Sequence, residues 1–129
     1  MPVHWNLALE DTFVETTIDG QVGFVRDDQA VILAPFDTMV EPDEALDQVG
    51  LTLTDSLEHI EREGRGIRRE AVIRERVEDG VSRFALEGFA ATRGSLVANG
   101  VYYEQAGDRD WALATFRSLS ATDEGEPDS

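Results

Sequence analysis

The fold of this chain is decided by residues 67–105, which read IRREAVIRERVEDGVSRFALEGFAATRGSLVANGVYYEQ. Apolar residues recur here with a period of two, which is typical of β-strands. The turn signals EDG at 78–80 and TRG at 92–94 interrupt the pattern, and their glycines tolerate the positive φ of tight turns. The stretch therefore predicts antiparallel strands at 67–77, 81–91 and 95–105. A turn at 106–108 and a fourth strand at 111–119 are predicted to complete a meander.

Two or three shorter strands are predicted before this meander, at 12–18, 21–26 and 30–36. One long helix is predicted between the two groups of strands. Pro42 suits a first helical position, and Asp43 and Glu44 suit a first turn. Apolar residues then follow at spacings of three and four, at Leu46, Val49, Leu53, Leu57 and Ile60. Gly64 and Gly66 are predicted to end this helix.

These elements predict a single α+β domain over residues 1–120, with an antiparallel sheet packed against the one long helix. Residues 121–129 are small and acidic and show no apolar periodicity, so they are predicted to be a disordered tail. The N-terminus has no signal-peptide pattern, and no apolar run approaches the ~20 residues that cross a bilayer. We therefore expect a soluble cytoplasmic protein that does not bind membranes.

The charge of the chain indicates its working environment. Asp and Glu number 27 against 11 basic residues, which are all arginines, and the net charge is −16. Such a domain repels itself in dilute buffer, whereas molar salt shortens the screening length to about 3 Å. We interpret the source as an extreme halophile, most simply a haloarchaeon. The acidic surface is expected to bind K⁺ and Na⁺ weakly and to repel nucleic acids.

The residue types present argue against several kinds of chemistry. The chain has no cysteine, which excludes disulfides, thiol nucleophiles and sulfur-based zinc or iron sites. Its two histidines, His4 and His59, have no ligand-like spacing, so we predict neither a metal nor a cofactor. Ser56 precedes His59 by three residues on the predicted helix, but no orienting group or oxyanion hole accompanies the pair. His59 is therefore interpreted as a helix-surface residue, and no catalytic residue is predicted.

Six of the 11 arginines fall within residues 62–76. One interpretation is a positive patch for an anionic partner. The interpretation we favour is that they pair with the interleaved glutamates. Strand parity places Arg68 and Arg74 on one face of the sheet and Arg69 on the other.

The aromatic residues suggest a binding surface. Tyr102 and Tyr103 are adjacent on one strand and must face opposite sides of the sheet, and Trp111 and Phe116 differ in parity on the next predicted strand. One set is expected to pack under the helix. The other set either forms an exposed apolar platform or is covered, as in a small sandwich. The residues predicted to bind a partner are Tyr102, Tyr103, Trp111, Arg68 and Arg74.

Three segments carry a resemblance to a known family, namely RFALEG at 83–88, GVYYEQ at 100–105 and WALATF at 111–116. With the order of strands, helix and meander over residues 12–119, they resemble the Mog1/PsbP/DcrB-type domain. Proteins of that type are accessory proteins, such as partners of a small GTPase or assembly factors. The resemblance implies a non-enzymatic adaptor that binds a protein through a sheet face or helix-side groove. The alternative is a binder of small anions, or an enzyme, with Arg69 or Arg74 in a pocket between helix and sheet.

Overall fold

The computed structural model describes residues 3–18 and 20–123. The elements of these residues are β1 (Val3–Asn6), β2 (Val14–Ile18), β3 (Gln21–Arg26), β4 (Gln29–Asp37), α1 (Pro42–Val49), β5 (Glu58–Glu63), β6 (Arg68–Glu78), β7 (Val81–Thr92), β8 (Ser95–Tyr103), α2 (Arg109–Arg117) and β9 (Ser120–Asp123). A 3-10 turn at Ala106–Asp108 precedes α2.

Most of the strands form one seven-stranded sheet in the order β2-β3-β4-β8-β7-β6-β5, in which every neighbouring pair is antiparallel. The predicted α+β class with an antiparallel sheet is confirmed. Strands β6, β7 and β8 form the meander expected from residues 67–105. Strands β1 and β9 pair separately as a two-stranded ribbon. The predicted domain boundary at residue 121 falls inside β9, and residues 124–129 lie outside the described residues.

The prediction of one long helix is wrong. Helix α1 has only eight residues and ends at Val49, and the following Gly50 has a left-handed φ of 62°. The chain then runs irregularly to Leu57, which donates its backbone N–H to the Ile73 carbonyl at 2.7 Å, and Ile60 is buried on the β5 strand that follows. The apolar spacing of three and four residues does not mark a longer helix. Leu53 and Leu57 are exposed, and Ile60 lies on β5, the edge strand that pairs with β6. His59 accordingly lies on β5.

The predicted fourth strand of the meander, 111–119, is also wrong, because this segment forms α2. Its buried residues include Ala112, Leu113 and Phe116, a spacing that suits one face of a helix. Phe116 packs directly on the backbone of β7. A Cβ built on Gly88 would lie 2.5 Å from Phe116 Cε1, so only glycine allows this close approach.

The two helices cover opposite faces of the sheet. Helix α2 covers what we call the α2 face, where Val31, Leu86, Val97 and Val101 are fully buried. Helix α1 lies on the other face, the α1 face, where Ala45 and Leu46 pack with Ala91, Phe89 and Leu96. Because α1 is short, it covers only one end of this face. No helix among the described residues is both long enough and apolar enough to cross a membrane.

Candidate functional site

The part of the α1 face that α1 leaves uncovered forms a groove of about 350 Å³. We call it the α1 groove. Its apolar lining is supplied by Ile32, Ala34, Phe36, Phe89, Ala98 and Tyr102. Gln21 and Glu87 supply polar atoms at its sides.

The register of two adjacent strands builds the floor of this groove. Ile32 lies opposite Gly100 and Ala34 lies opposite Ala98, so alternate residues of β4 and β8 share one face. Gly100, Ala34 and Ala98 have small side chains or none, so the middle of the floor is low. Phe36, which is 53% exposed, stands at the α1 end of β4. The groove is therefore a shallow apolar depression on a strongly acidic protein.

Tyr102 lies at the end of the groove farther from α1, with its ring over the backbone of Gly100. A Cβ built on Gly100 would lie 2.8 Å from both Oη and Cε2 of Tyr102. The side chain is still 40% exposed. Burial raises the pKa of Tyr102, Glu87 raises it further, and Arg76 opposes the change. At neutral pH the phenol is thus uncharged and presents both an apolar ring and a hydroxyl.

Tyr103 faces the opposite side of the sheet, as its parity predicted. It is only 2% exposed and stacks on Phe84 with the ring centroids 5.2 Å apart. Burial raises the pKa of Tyr103, as expected for a phenol in the core. The structure therefore places Tyr103 under the α2 face and away from Tyr102.

Trp111 lies outside the groove as well. It lies on α2 and stacks on Phe13 at 5.7 Å, and the guanidinium of Arg26 lies 4.3 Å from the Phe13 ring centroid. The stacking of Phe13 on Trp111 holds the chain preceding β2 against α2. The five residues predicted as one partner-binding set thus occupy separate places, and Tyr102 is the member that lines the groove.

Arg68 belongs to a set of ion pairs that attach α1 to the sheet, which we call the α1 clamp. Its members are Asp43, Asp47, Arg62, Arg68 and Glu70. Arg62 lies 2.8 Å from Asp47, 3.2 Å from Glu70 and 3.4 Å from Asp43. Arg68 Nε donates to Asp43 at 3.1 Å, and this hydrogen bond is the main reason that the pKa of Asp43 is lowered. His59 contacts Glu70 at 2.8 Å.

The α1 clamp agrees only in part with the prediction that the arginines of residues 62–76 pair with the interleaved glutamates, because Arg62 with Glu70 is the one such pair in it. Two of the carboxylates come from α1, however, and not from the glutamates interleaved with the arginines. The pairing could not be read from the sequence because it joins elements that are 15 to 25 residues apart.

Arg74 and Arg69 are both engaged in the fold. Arg74 lies on the α1 face, donates to the carbonyls of Thr52 and Thr54, and lies 3.6 Å from Glu87. It thereby holds the chain between α1 and β5 against the sheet. Arg69 donates to the Leu119 carbonyl on the α2 face, and burial lowers its pKa. Strand parity had correctly separated these two arginines.

No group of three or more His, Asp or Glu side chains within residues 3–18 and 20–123 is arranged to hold a metal ion.

Sequence reasoning missed Ile32, Phe36 and Phe89 as candidate site residues. A signal for the first two was present, because the run AVILAPF at 30–36 is apolar at both parities. Such a run indicates a strand with both faces apolar. Since α1 covers only part of one face, some of that apolar surface stays open.

Comparison with known proteins identifies a fold and no family. No protein-family model matches the chain, and no curated protein matches it. A solved structure from Bacteroides thetaiotaomicron has a TM-score of 0.69 at 13% identity, and the match covers 95% of this chain and 46% of that one. LpqN of Mycobacterium tuberculosis, which is involved in cell envelope biogenesis, has a TM-score of 0.59 at 12% identity, with 95% and 85% covered. This chain thus spans less than half of the Bacteroides protein, and at these identities the likeness shows the fold alone.

Proposed function

We propose that this chain is a non-enzymatic accessory domain that binds an apolar segment of a partner protein in the α1 groove. The observation that carries the proposal is the exposure of Phe36 and Tyr102, together with Ile32 and Phe89, around one depression of about 350 Å³. On a chain of net charge −16, contiguous apolar surface is unusual and is typical of an interaction site.

The chemistry of the groove favours a protein segment over a small anion. Its lining includes Glu87 and no arginine, and Arg74 nearby is committed to Thr52, Thr54 and Glu87. A partner segment would place apolar side chains over Ala34 and Ala98. Its flanking residues would be neutral or basic, because the rest of the surface repels carboxylates.

The proposal extends to the working environment and the family. We take the protein to act in the cytoplasm of an extreme halophile, on the strength of its charge and its lack of lysine. We also retain the likeness to Mog1/PsbP/DcrB-type accessory domains as part of the proposal. The envelope role of LpqN is not carried over, because 12% identity supports the fold and nothing more.

The test is an affinity purification of the tagged protein from a haloarchaeal lysate, in multimolar potassium chloride throughout. A stoichiometric co-purifying protein is then titrated against purified Phe36→Ser and Tyr102→Ala variants. We expect each to bind at least about tenfold more weakly, because truncated aromatic anchors commonly cost 2 kcal/mol or more.

The matched control is Val77→Ala, which removes apolar surface from a side chain that is 67% exposed and on the opposite side of the sheet. This variant is expected to bind like the original chain. If both groove variants retain full affinity while remaining folded by circular dichroism, the α1 groove is not the binding surface.

A further inference from the structure

A second cavity lies on the α2 face, between β1 and the outer strands β2 to β4, where α2 does not reach. Its volume is about 350 Å³, within the size range of pockets for small molecules. Its walls are formed mainly by Trp5, Val22, Phe24, Leu33 and Val97. We call it the Trp5 pocket. It is on the opposite side of the sheet from the α1 groove.

The aromatic wall of this pocket is held in place. The indole N–H of Trp5 donates to Ser95 Oγ at 2.8 Å, and that hydroxyl in turn donates to the Phe36 carbonyl at 3.3 Å. Ser95 is only 2% exposed, so this chain of hydrogen bonds is shielded from water. Trp5 is thereby fixed over the sheet before any ligand arrives, and a preorganised wall reduces the entropy cost of binding.

The charge of the pocket selects a class of ligand. Of its lining residues, Glu15 is the one with a charge, and it forms no ion pair within the described parts of the chain. An apolar pocket with two aromatic rings and one carboxylate matches a compact organic cation, because the rings attract cations through their faces. We propose that the Trp5 pocket binds a small amine or quaternary ammonium compound, with Glu15 and the faces of Trp5 and Phe24 recognising the charge.

The test compares two ligands of the same shape. Choline is the cationic probe, and 3,3-dimethylbutan-1-ol is its uncharged carbon analogue. Each is titrated into the full chain by isothermal calorimetry, at the lowest potassium chloride concentration at which circular dichroism shows the protein folded, because salt screens charge. We expect choline to bind about tenfold more tightly than the alcohol, and Glu15→Gln to remove most of that preference.

The matched control is Glu75→Gln, which makes the same change of charge at an exposed residue on β6, outside the pocket. It should leave choline affinity unchanged. Trp5 fluorescence in a Trp111→Phe variant provides an independent readout, because Trp5 is then the sole tryptophan. Equal binding of both probes, loss of affinity in both variants alike, or the absence of any choline binding would overturn the proposal.

Discussion

Replacement of Gly88 by alanine tests the packing of α2 on the sheet. The new Cβ would lie 2.5, 2.8 and 3.0 Å from three atoms of the Phe116 ring. Phe116 is fully buried and cannot swing into solvent. The ring or the helix must therefore shift, and overpacking of this kind costs about 1–3 kcal/mol. Alanine recovers about 0.5–1 kcal/mol of backbone entropy, so the net loss should be about 1 kcal/mol, within limits of about 0 and 2.5 kcal/mol.

Gly100→Ala is the matched comparison on the neighbouring strand. Its Cβ would also lie 2.8 Å from a ring, that of Tyr102, but this side chain is 40% exposed and can move outward. The entropy gain then remains while little packing is lost. Gly100→Ala should therefore leave the stability unchanged or raise it by up to about 0.5 kcal/mol.

The assay is urea unfolding in constant potassium chloride, since guanidinium chloride would change the ionic strength. In a thermal melt of a chain of this length, a loss of 1 kcal/mol in the free energy of unfolding corresponds to a fall of about 3–5 °C in Tm. A double-mutant cycle of Gly88→Ala with Phe116→Leu should show coupling of at least about 0.5 kcal/mol, because the smaller side chain relieves the contact. Equal effects of the two glycine substitutions would refute the reasoning, and with it the packing of α2 described above.

Four further predictions concern charge. Arg62→Met breaks the α1 clamp and should lower the free energy of unfolding by about 1–2 kcal/mol in urea titrations, whereas exposed Arg93→Gln should cause no measurable change. Hydrogen bonds from arginine partners lower the pKa values of Asp43 and Glu58. Their ionised forms therefore stabilise the folded protein fully above about pH 4, and this stabilisation is lost as the pH falls through their folded-state pKa values. Thermal melts at a series of pH values measure the loss. Burial raises the pKa of Tyr103. The neutral phenol therefore contributes its full stabilisation of the folded protein below about pH 10 and loses it as the pH rises further. Tyr103→Phe should reduce this loss of stability at alkaline pH. Removal of potassium chloride should unfold the protein below roughly molar salt, and full stability by circular dichroism in dilute buffer would contradict the halophilic interpretation.

The strands were predictable because their signals are local. The predicted strand at 21–26 coincides with β3, and those at 81–91 and 95–105 differ from β7 and β8 by one or two residues at their ends. The turn residues explain this agreement. Gly20, Asp79, Gly80 and Gly94 all have positive φ, as tight hairpin turns require. Because apolar and polar residues alternate along the strands between such turns, few other registers of strand pairing are available.

The helices were not predictable because their apolar spacing was ambiguous. Leu53, Leu57 and Ile60 continue the stripe of α1 in sequence, yet the last belongs to an edge strand whose pairing with β6 is non-local. Trp111 and Leu113 alternate like strand residues, whereas Phe116 has the opposite parity. In both segments the tertiary environment decided between two local conformations, as it commonly does for short apolar runs.

The candidate site was predictable only in part, for a related reason. The opposite orientations of Tyr102 and Tyr103 follow from strand parity, and the structure agrees. The groove itself depends on β4 lying beside β8, which brings Ala34 opposite Ala98 from a distance of 64 positions in the chain. No local pattern reports such a pairing, and the uncovered end of the face follows from the short length of α1.

The distribution of arginine strengthens the functional argument for the apolar surfaces. Within the described residues, eight of the 11 arginines form ion pairs: Arg26, Arg62, Arg68, Arg74, Arg83, Arg93, Arg109 and Arg117. Most cations therefore have a structural partner, and the remaining carboxylates keep the surface hydrated. Neither role accounts for an open groove beside Tyr102 or for an apolar pocket beneath Trp5. Exposed apolar surface contributes nothing to the stability of the isolated domain, and this is the physical ground on which both binding proposals rest.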